Sequence, residues 1–222
     1  GGSYSTRQSF PQLITVNITD VNDNPPVFAD VNYDITIVEN TKGPTLLETT
    51  DADTNPTVTY SLSGADAADF EIVNNTLALK EAADFETKSS YAVTVTANDG
   101  VNSTTQAVTY TITDANDNAP VFTSTASPTI DENETFVTTL VTTDADTNPT
   151  VSYSITGGTD ASLFKILDIP LDTLPISNTL SLRLLTAADF ETKTSYEVTV
   201  TATDNDGVNS TPQNITVTVN AV

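Results

Sequence analysis

The sequence predicts an all-β protein made of two tandem seven-stranded Greek-key β-sandwiches. Three observations carry that prediction. The 222 residues repeat themselves once at a spacing near the size of a small β domain. Apolar residues alternate with Thr, Ser and Asn in short runs, which places every second side chain on one face of a strand. Asn, Asp, Gly and Pro clusters separate these runs, and no window sustains a helical period.

The repeat is visible in three segments. Thr50-Asp51-Ala52-Asp53-Thr54-Asn55-Pro56-Thr57-Val58 returns 93 residues later as Thr143-Asp144-Ala145-Asp146-Thr147-Asn148-Pro149-Thr150-Val151. Asp20-Val21-Asn22-Asp23-Asn24-Pro25-Pro26-Val27-Phe28 returns after 94 as Asp114-Ala115-Asn116-Asp117-Asn118-Ala119-Pro120-Val121-Phe122. Ala83-Asp84-Phe85-Glu86-Thr87-Lys88 returns after 105 as Ala188-Asp189-Phe190-Glu191-Thr192-Lys193, so the second repeat carries an insertion near 167–177. The expected organisation is a remnant last strand and linker over 1–26, one repeat with its following linker over 27–118, and a second repeat over 119–222. Gly1, Gly2 and Ser3 read as a cloning remnant.

Strand candidates follow in order. In the first repeat they are Tyr33/Ile35/Ile37, Val58/Tyr60/Leu62, Tyr91/Val93/Val95/Ala97 and Val108/Tyr110/Ile112. In the second they are Val151/Tyr153/Ile155, Leu180/Leu182/Leu184, Tyr196/Val198/Val200 and Ile215/Val217/Val219. Thr between them suits a solvent-facing pleat. Phe28, Phe122, Tyr60, Tyr153, Tyr91 and Tyr196 recur with the repeats and read as packing residues.

Composition narrows the chemistry. Seven Lys and Arg against thirty Asp and Glu leave a formal charge of −23, which excludes a basic surface for nucleic acid. Cys, His, Met and Trp are absent, so thiolate, imidazole and haem ligation are excluded and any metal must be held by oxygen. With 37% hydrophobic residues the chain can still build a core. No apolar run approaches the ~18 residues of a membrane span.

The carboxylates gather in short motifs at expected strand ends. If Glu39, Asp84 and Glu86 stand on one side of the linker 114–118 and Asp144, Asp146 and Asp204 on the other, the linker lies between two acidic surfaces. Two unit charges ~4 Å apart at an effective dielectric near 20 repel by ~4 kcal/mol, so such a cluster needs a multivalent cation. Calcium fits best, since it accepts six to eight oxygens in irregular geometry, whereas magnesium demands a stricter octahedron. Asp51-x-Asp53-x-Asn55 imitates the start of an EF-hand loop, but Pro56 and Leu62 stand at its sixth and twelfth positions, and Pro149 and Ile155 repeat the mismatch. A glycosidase-like carboxylate pair is disfavoured because the same pairs occur in both repeats.

Taken together, Asp-x-Asn-Asp-Asn-x-Pro-x-Phe, Asp-x-Asp, Asp-x-Glu, a Glu near the first strand and an Asp after the sixth resemble cadherin repeats over residues 20–220. The resemblance implies about three calcium ions at the central junction. Their ligands would be Glu39, Asp84, Glu86, the Ala115 carbonyl, Asn116, Asp117, Asn118, Asp144, Asp146, the Asn148 carbonyl and Asp204. Asp114 opens the motif and is left outside this set. At the first junction Asn22, Asn24, Asp51, Asp53, Asn55 and Asp99 would hold fewer ions, while Asp23 lacks most of its partners. Glu132, Asp189 and Glu191 would hold calcium weakly or not at all, because Ala221 stands where the motif needs Asp.

The expected function is an extracellular, cell-surface segment, not an enzyme, that mediates adhesion to cells or surfaces. Calcium would stiffen it, and its partners would be neighbouring repeats. The Cys-free, Lys-poor, Thr- and Asp-rich composition, with near-identical repeated stretches such as Ala-Ala-Asp-Phe-Glu-Thr-Lys, resembles the cadherin-like repeats of large bacterial surface adhesins, and without Trp the N-terminal Trp docking of classical cadherins is unavailable. The alternative is a binding module for a polysaccharide or a second copy, using the insertion at 167–177.

Overall fold

The structure is a computed structural model and describes residues 1, 11–30, 33–54, 57–147, 149–168 and 180–222. The chain divides into two compact units. One comprises Gly1–Ile37, Thr41–Ala82 and Ser90–Thr111, the other Val38–Asn40, Ala83–Ser89 and Ile112–Val222. No helix among the described residues is long and apolar enough to cross a membrane.

The first nine strands are β1 (Val27–Phe28), β2 (Tyr33–Val38), β3 (Thr45–Leu46), β4 (Thr49–Thr50), β5 (Thr59–Ser63), β6 (Phe70–Val73), β7 (Thr76–Leu79), β8 (Ser90–Asn98) and β9 (Ser103–Thr113). They form a four-stranded sheet in the order β2-β9-β8-β5, a three-stranded sheet β3-β7-β6 and a two-stranded ribbon β1-β4. The two larger sheets together supply the expected seven strands. Alternation does the sorting: Val93, Val95 and Ala97 of β8 and Val108 and Tyr110 of β9 are buried, with Thr94, Thr96 and Thr109 between them half-buried. Phe70 of the smaller sheet meets Tyr110 and Tyr91 of the larger, with ring centroids 5.1 and 6.1 Å apart. The β6–β7 turn is Asn74-Asn75, both at positive φ (49° and 60°), which matches the right-handed twist of a tight hairpin.

The second set is β10 (Val121–Phe122), β11 (Thr129–Asp131), β12 (Phe136–Thr139), β13 (Thr142–Thr143), β14 (Ser152–Gly157), β15 (Phe164–Asp168), β16 (Leu180–Leu184), β17 (Ser195–Thr203) and β18 (Gln213–Asn220). Its sheets repeat the plan: β11-β18-β17-β14, β12-β16-β15 and the ribbon β10-β13. β11 runs parallel to β18 with Ile130 opposite Val219, and the remaining pairs are antiparallel. Its core joins Phe164, Leu182 and Leu184 of one sheet to Tyr196, Val198, Val200, Ile215 and Val217 of the other. Asp160 stitches the edge of this core, accepting from Glu197 N at 2.9 Å and pairing with Lys193.

Residues 11–26 carry no strand, as no neighbouring strand offers them a backbone ladder. Most of the insertion at 167–177 lies outside the described residues, and so do Asn55 and Asn148.

Candidate metal centres

The two short ribbons place the linkers. β1 pairs with β4, setting Val27 opposite Thr50, and β10 pairs with β13, setting Val121 opposite Thr143. Each pairing brings the residues just after an Asp-x-Asn-Asp-Asn motif beside the strand that leads into an Asp-x-Asp loop. Aromatic packing anchors both ribbons. Phe28 lies 6.3 Å from Tyr60, whose hydroxyl bonds Thr49 Oγ1 at 2.9 Å; Phe122 lies 5.8 Å from Tyr153, whose hydroxyl bonds Thr142 Oγ1 at 3.0 Å.

Linker and loop are then fastened twice. Asp114 Oδ2 accepts from Thr147 N at 2.6 Å, and Asn118 donates to Asp146 Oδ1 through Nδ2 at 2.9 Å and to Asp146 Oδ2 through its backbone N at 3.1 Å. In the first unit the same contacts recur as Thr54 N to Asp20 at 2.5 Å, Asn24 N to Asp53 Oδ2 at 2.9 Å and Asn24 Nδ2 to Asp53 Oδ1 at 2.7 Å. The Thr147 hydroxyl and N–H hold the Asp114 carboxyl below its ordinary value. The Thr54 N–H and hydroxyl do the same for Asp20.

Glu39 organises a third cluster within the second unit. It is buried (3% exposed), and its carboxylate accepts from Phe85 N at 2.8 Å and Ala115 N at 2.7 Å, so it gathers the loop 83–86 and the linker around itself. Ligand oxygens of Glu39, Glu86 and Asp114 lie within 4.8 Å of one another. Partial desolvation by its neighbours, and after it the charge of Glu39 and the Asp114 contact, push the Glu86 carboxyl above its ordinary value, against a backbone hydrogen bond that lowers it. An open cleft of about 370 Å³ beside it is lined by Glu39, Asn40, Asp84, Glu86, Thr87, Asp117 and Asn118.

Two further carboxylate groups meet the same 4.8 Å limit: Asp144, Asp146 and Asp204 in the second unit, and Asp51, Asp53 and Asp99 in the first. Their hydrogen bonding is asymmetric. Asp51 Oδ1 accepts from Asp53 N and Asp144 Oδ1 from Asp146 N, while Oδ2 of each is buried without a hydrogen-bond partner. Asp204 Oδ1 accepts from Asp206 N and Val208 N, both at 2.9 Å, and its Oδ2 is likewise unpartnered. Asp114 Oδ1 and both amide atoms of Asn116 complete this set of buried polar atoms without partners near the linker. One oxygen of Asp51, Asp144 and Asp204 accepts a backbone N–H of its own turn, and the other is buried and unpaired. Buried unpaired carboxylate oxygens are costly, and a hard cation satisfies them. The residues present therefore fit calcium.

The sequence-predicted ligands separate into groups. Glu39 with Glu86, and Asp144 with Asp146 and Asp204, come together; Asp51, Asp53 and Asp99 do so in the first unit. The Asn22 amide joins the last three, standing 3.1 Å from Oδ2 of both Asp53 and Asp99. Asp84 lines the cleft but spends both oxygens on Thr87, and exposed Asp117 accepts from Asn118 Nδ2 at 3.0 Å and from Asn40 Nδ2. Among the described residues, Glu132, Asp189 and Glu191 do not gather into such a group: Glu132 accepts from Val222 N, and Asp189 accepts from Thr192. Asp114 is the addition. Its place at the head of a motif repeated from Asp20 was the available signal, but its membership follows from the fold, which brings its carboxylate to Glu39 and Glu86.

Residues 126–221 match the family described as Cadherin domain. The chain is 34% identical to human Protocadherin Fat 4 over 227 residues, covering 96% of this chain and 4% of that protein, and 35% identical to human Protocadherin Fat 1 over 236 residues, covering 95% and 5%. It thus spans about one twentieth of the length of these curated relatives. Among solved structures, the Protocadherin GammaB4 extracellular domain superposes with a TM-score of 0.72 at 29% identity, over 92% of this chain and 34% of that one. Human Protocadherin-24 EC1-2 superposes at 0.74 and 24% identity, over 91% and 100%, a likeness of fold alone. These relatives are animal proteins, so the bacterial origin expected from composition has no support among them; a Thr- and Asp-rich, Cys-free surface meets the solubility needs of extracellular repeats from any source. A polysaccharide partner has none either. Residues 126–221 match the cadherin-domain family, and the chain has the fold of two tandem cadherin-like β-sandwiches.

Proposed function

We propose that this chain is a non-enzymatic, extracellular adhesion and spacer segment in which residues 27–118 and 119–222 are successive repeats stiffened by calcium. The observation that supports this best is the set of buried oxygens without hydrogen-bond partners on Asp114, Asn116, Asp144 and Asp204 around one linker. In this reading Glu39, Glu86, Asp114 and Asp117, with Asp84 at the cleft, hold the ions on one side of the linker. Asn116, Asn118, the Asn148 carbonyl, Asp144, Asp146 and Asp204 hold the ion on the other, and the Ala115 carbonyl is a further ligand. Asn22, Asn24, Asp51, Asp53, Asn55 and Asp99 form the corresponding partial site in the first unit.

Bound calcium removes the repulsion among these carboxylates and ties the linker to the loops that carry them. The chain's own groups do the positioning: Glu39 holds the 83–86 loop, and the β10–β13 ribbon holds the Asp144 loop. Repeats of this kind contact only their neighbours, so the stiffness of an array resides in its linkers. Calcium sites on extracellular modules bind with dissociation constants of roughly 10⁻⁴ to 10⁻³ M, which matches millimolar calcium outside cells.

Calorimetric calcium titration of the wild type and of Asp117→Ala tests the assignment. Fewer bound ions in the variant, with an unchanged circular-dichroism spectrum, are expected. An unchanged stoichiometry would show the linker site to be misassigned.

A further inference from the structure

We infer that Asp20 is a positioning residue for the Asp51, Asp53 and Asp99 cluster, holding linker residues 20–24 on the loop 51–54 and so setting the place of oxygens it does not itself join. The inference rests on the calcium reading above. Asp20 is outside the group of carboxylates that converge in the first unit. Its Oδ2 instead accepts the backbone N–H of Thr54 at 2.5 Å, one residue past the buried Asp53. Asn24 fastens the other end of the linker to Asp53 through its N and Nδ2. Between these two fastenings sits Asn22, whose amide stands 3.1 Å from Oδ2 of Asp53 and of Asp99. With both ends held, Asn22 has little freedom to leave the cluster; with Asp20 removed, the arc is held at one end only. The same two-point fastening is made by Asp114 and Asn118 on Thr147 and Asp146, so it belongs to the repeat rather than to one local accident.

The test uses the whole 222-residue chain with calcium as the probe. Asp20→Ala is expected to weaken one class of calcium sites on the order of ten-fold without changing the number of ions, as removal of a group that orients a ligand does. Asp20→Asn keeps an acceptor oxygen and restores the wild-type affinity. In chelator, hydrogen exchange at the Thr54 amide is slow in the wild type and fast in Asp20→Ala. Undiminished calcium affinity in Asp20→Ala overturns the inference alone, as does Asp20→Asn binding as weakly as Asp20→Ala, which would point to distant charge instead of the hydrogen bond. A wild-type chain that binds no calcium overturns the calcium reading itself and the positioning role with it.

Discussion

Asp114 accepts the N–H of Thr147 through Oδ2 at 2.6 Å, while its Oδ1 is buried without a hydrogen-bond partner beside Glu39 and Glu86. One side chain thus both fastens the linker to the Asp144 loop and offers an oxygen to the cluster behind it. Asp114→Ala removes both contributions. Calorimetric titration is expected to show calcium affinity lower on the order of ten-fold or more, a larger loss than for Asp114→Asn, which keeps an acceptor for Thr147. Equal behaviour of the two variants would separate the fastening from binding.

The Asp160–Lys193 pair predicts a pH dependence of the second unit. The Lys193 ammonium, and the Glu197 N–H after it, hold the Asp160 carboxyl below its ordinary value of 3.8. A lowered folded value means that the unfolded chain binds the proton more readily. The contribution is therefore complete above the unfolded value and is lost as pH falls through the folded one. Asp160→Ala is expected to cost about 2 kcal/mol at neutral pH, with the gap to wild type closing in the most acidic denaturation series.

Gly64 and Gly158 occupy equivalent turns, at φ of 106° and 102°, but in different surroundings. A Cβ at 64 would meet nothing nearer than Thr94 N at 3.5 Å, whereas one at 158 would lie 2.5 Å from Val198 Cα and 2.7 Å from Glu197 O. Gly64→Ala is expected to cost about 1–3 kcal/mol from backbone strain alone. Gly158→Ala must also push β17 away and is expected to lower the melting temperature further. Equal melting temperatures for the two variants would contradict the packing at 158.

Leu182 is fully buried (0% exposed) and paired with Ile166 across β15 and β16. Leu182→Ala is expected to cost about 2–5 kcal/mol in chemical denaturation, with the spread set by how far the cavity collapses. Calcium affinity measured below the unfolding transition should be unchanged, since Leu182 sits in the hydrophobic core and belongs to none of the carboxylate clusters.

Most of the fold was legible in the sequence because its signals are local and strong. Val93, Val95 and Ala97, or Ile215, Val217 and Val219, alternate over strands long enough for the period to be read, and each such residue is buried. The ribbons were not legible. Val27–Phe28 and Thr142–Thr143 are two residues each, too short to show any period, yet they decide which loop each linker lies beside. The site was legible as a set of carboxylates, since repeated Asp and Glu motifs survive translation along the chain. Its hydrogen bonding was not: whether Asp114 joins the cluster depends on which of its oxygens the Thr147 amide occupies, and a backbone N–H leaves no mark in the residue type. Composition was the weakest guide, because a Thr- and Asp-rich exterior reflects exposure to solvent and says little of origin.

The central claim is that calcium stiffens the chain through its linker carboxylates, and small-angle scattering in calcium and in chelator tests it most directly. A larger, sharply defined maximum dimension in calcium, giving way in chelator to the broad distance distribution of a hinged chain, is the predicted result. Superimposable scattering curves in the two conditions, at calcium concentrations that titration shows to be saturating, would contradict it.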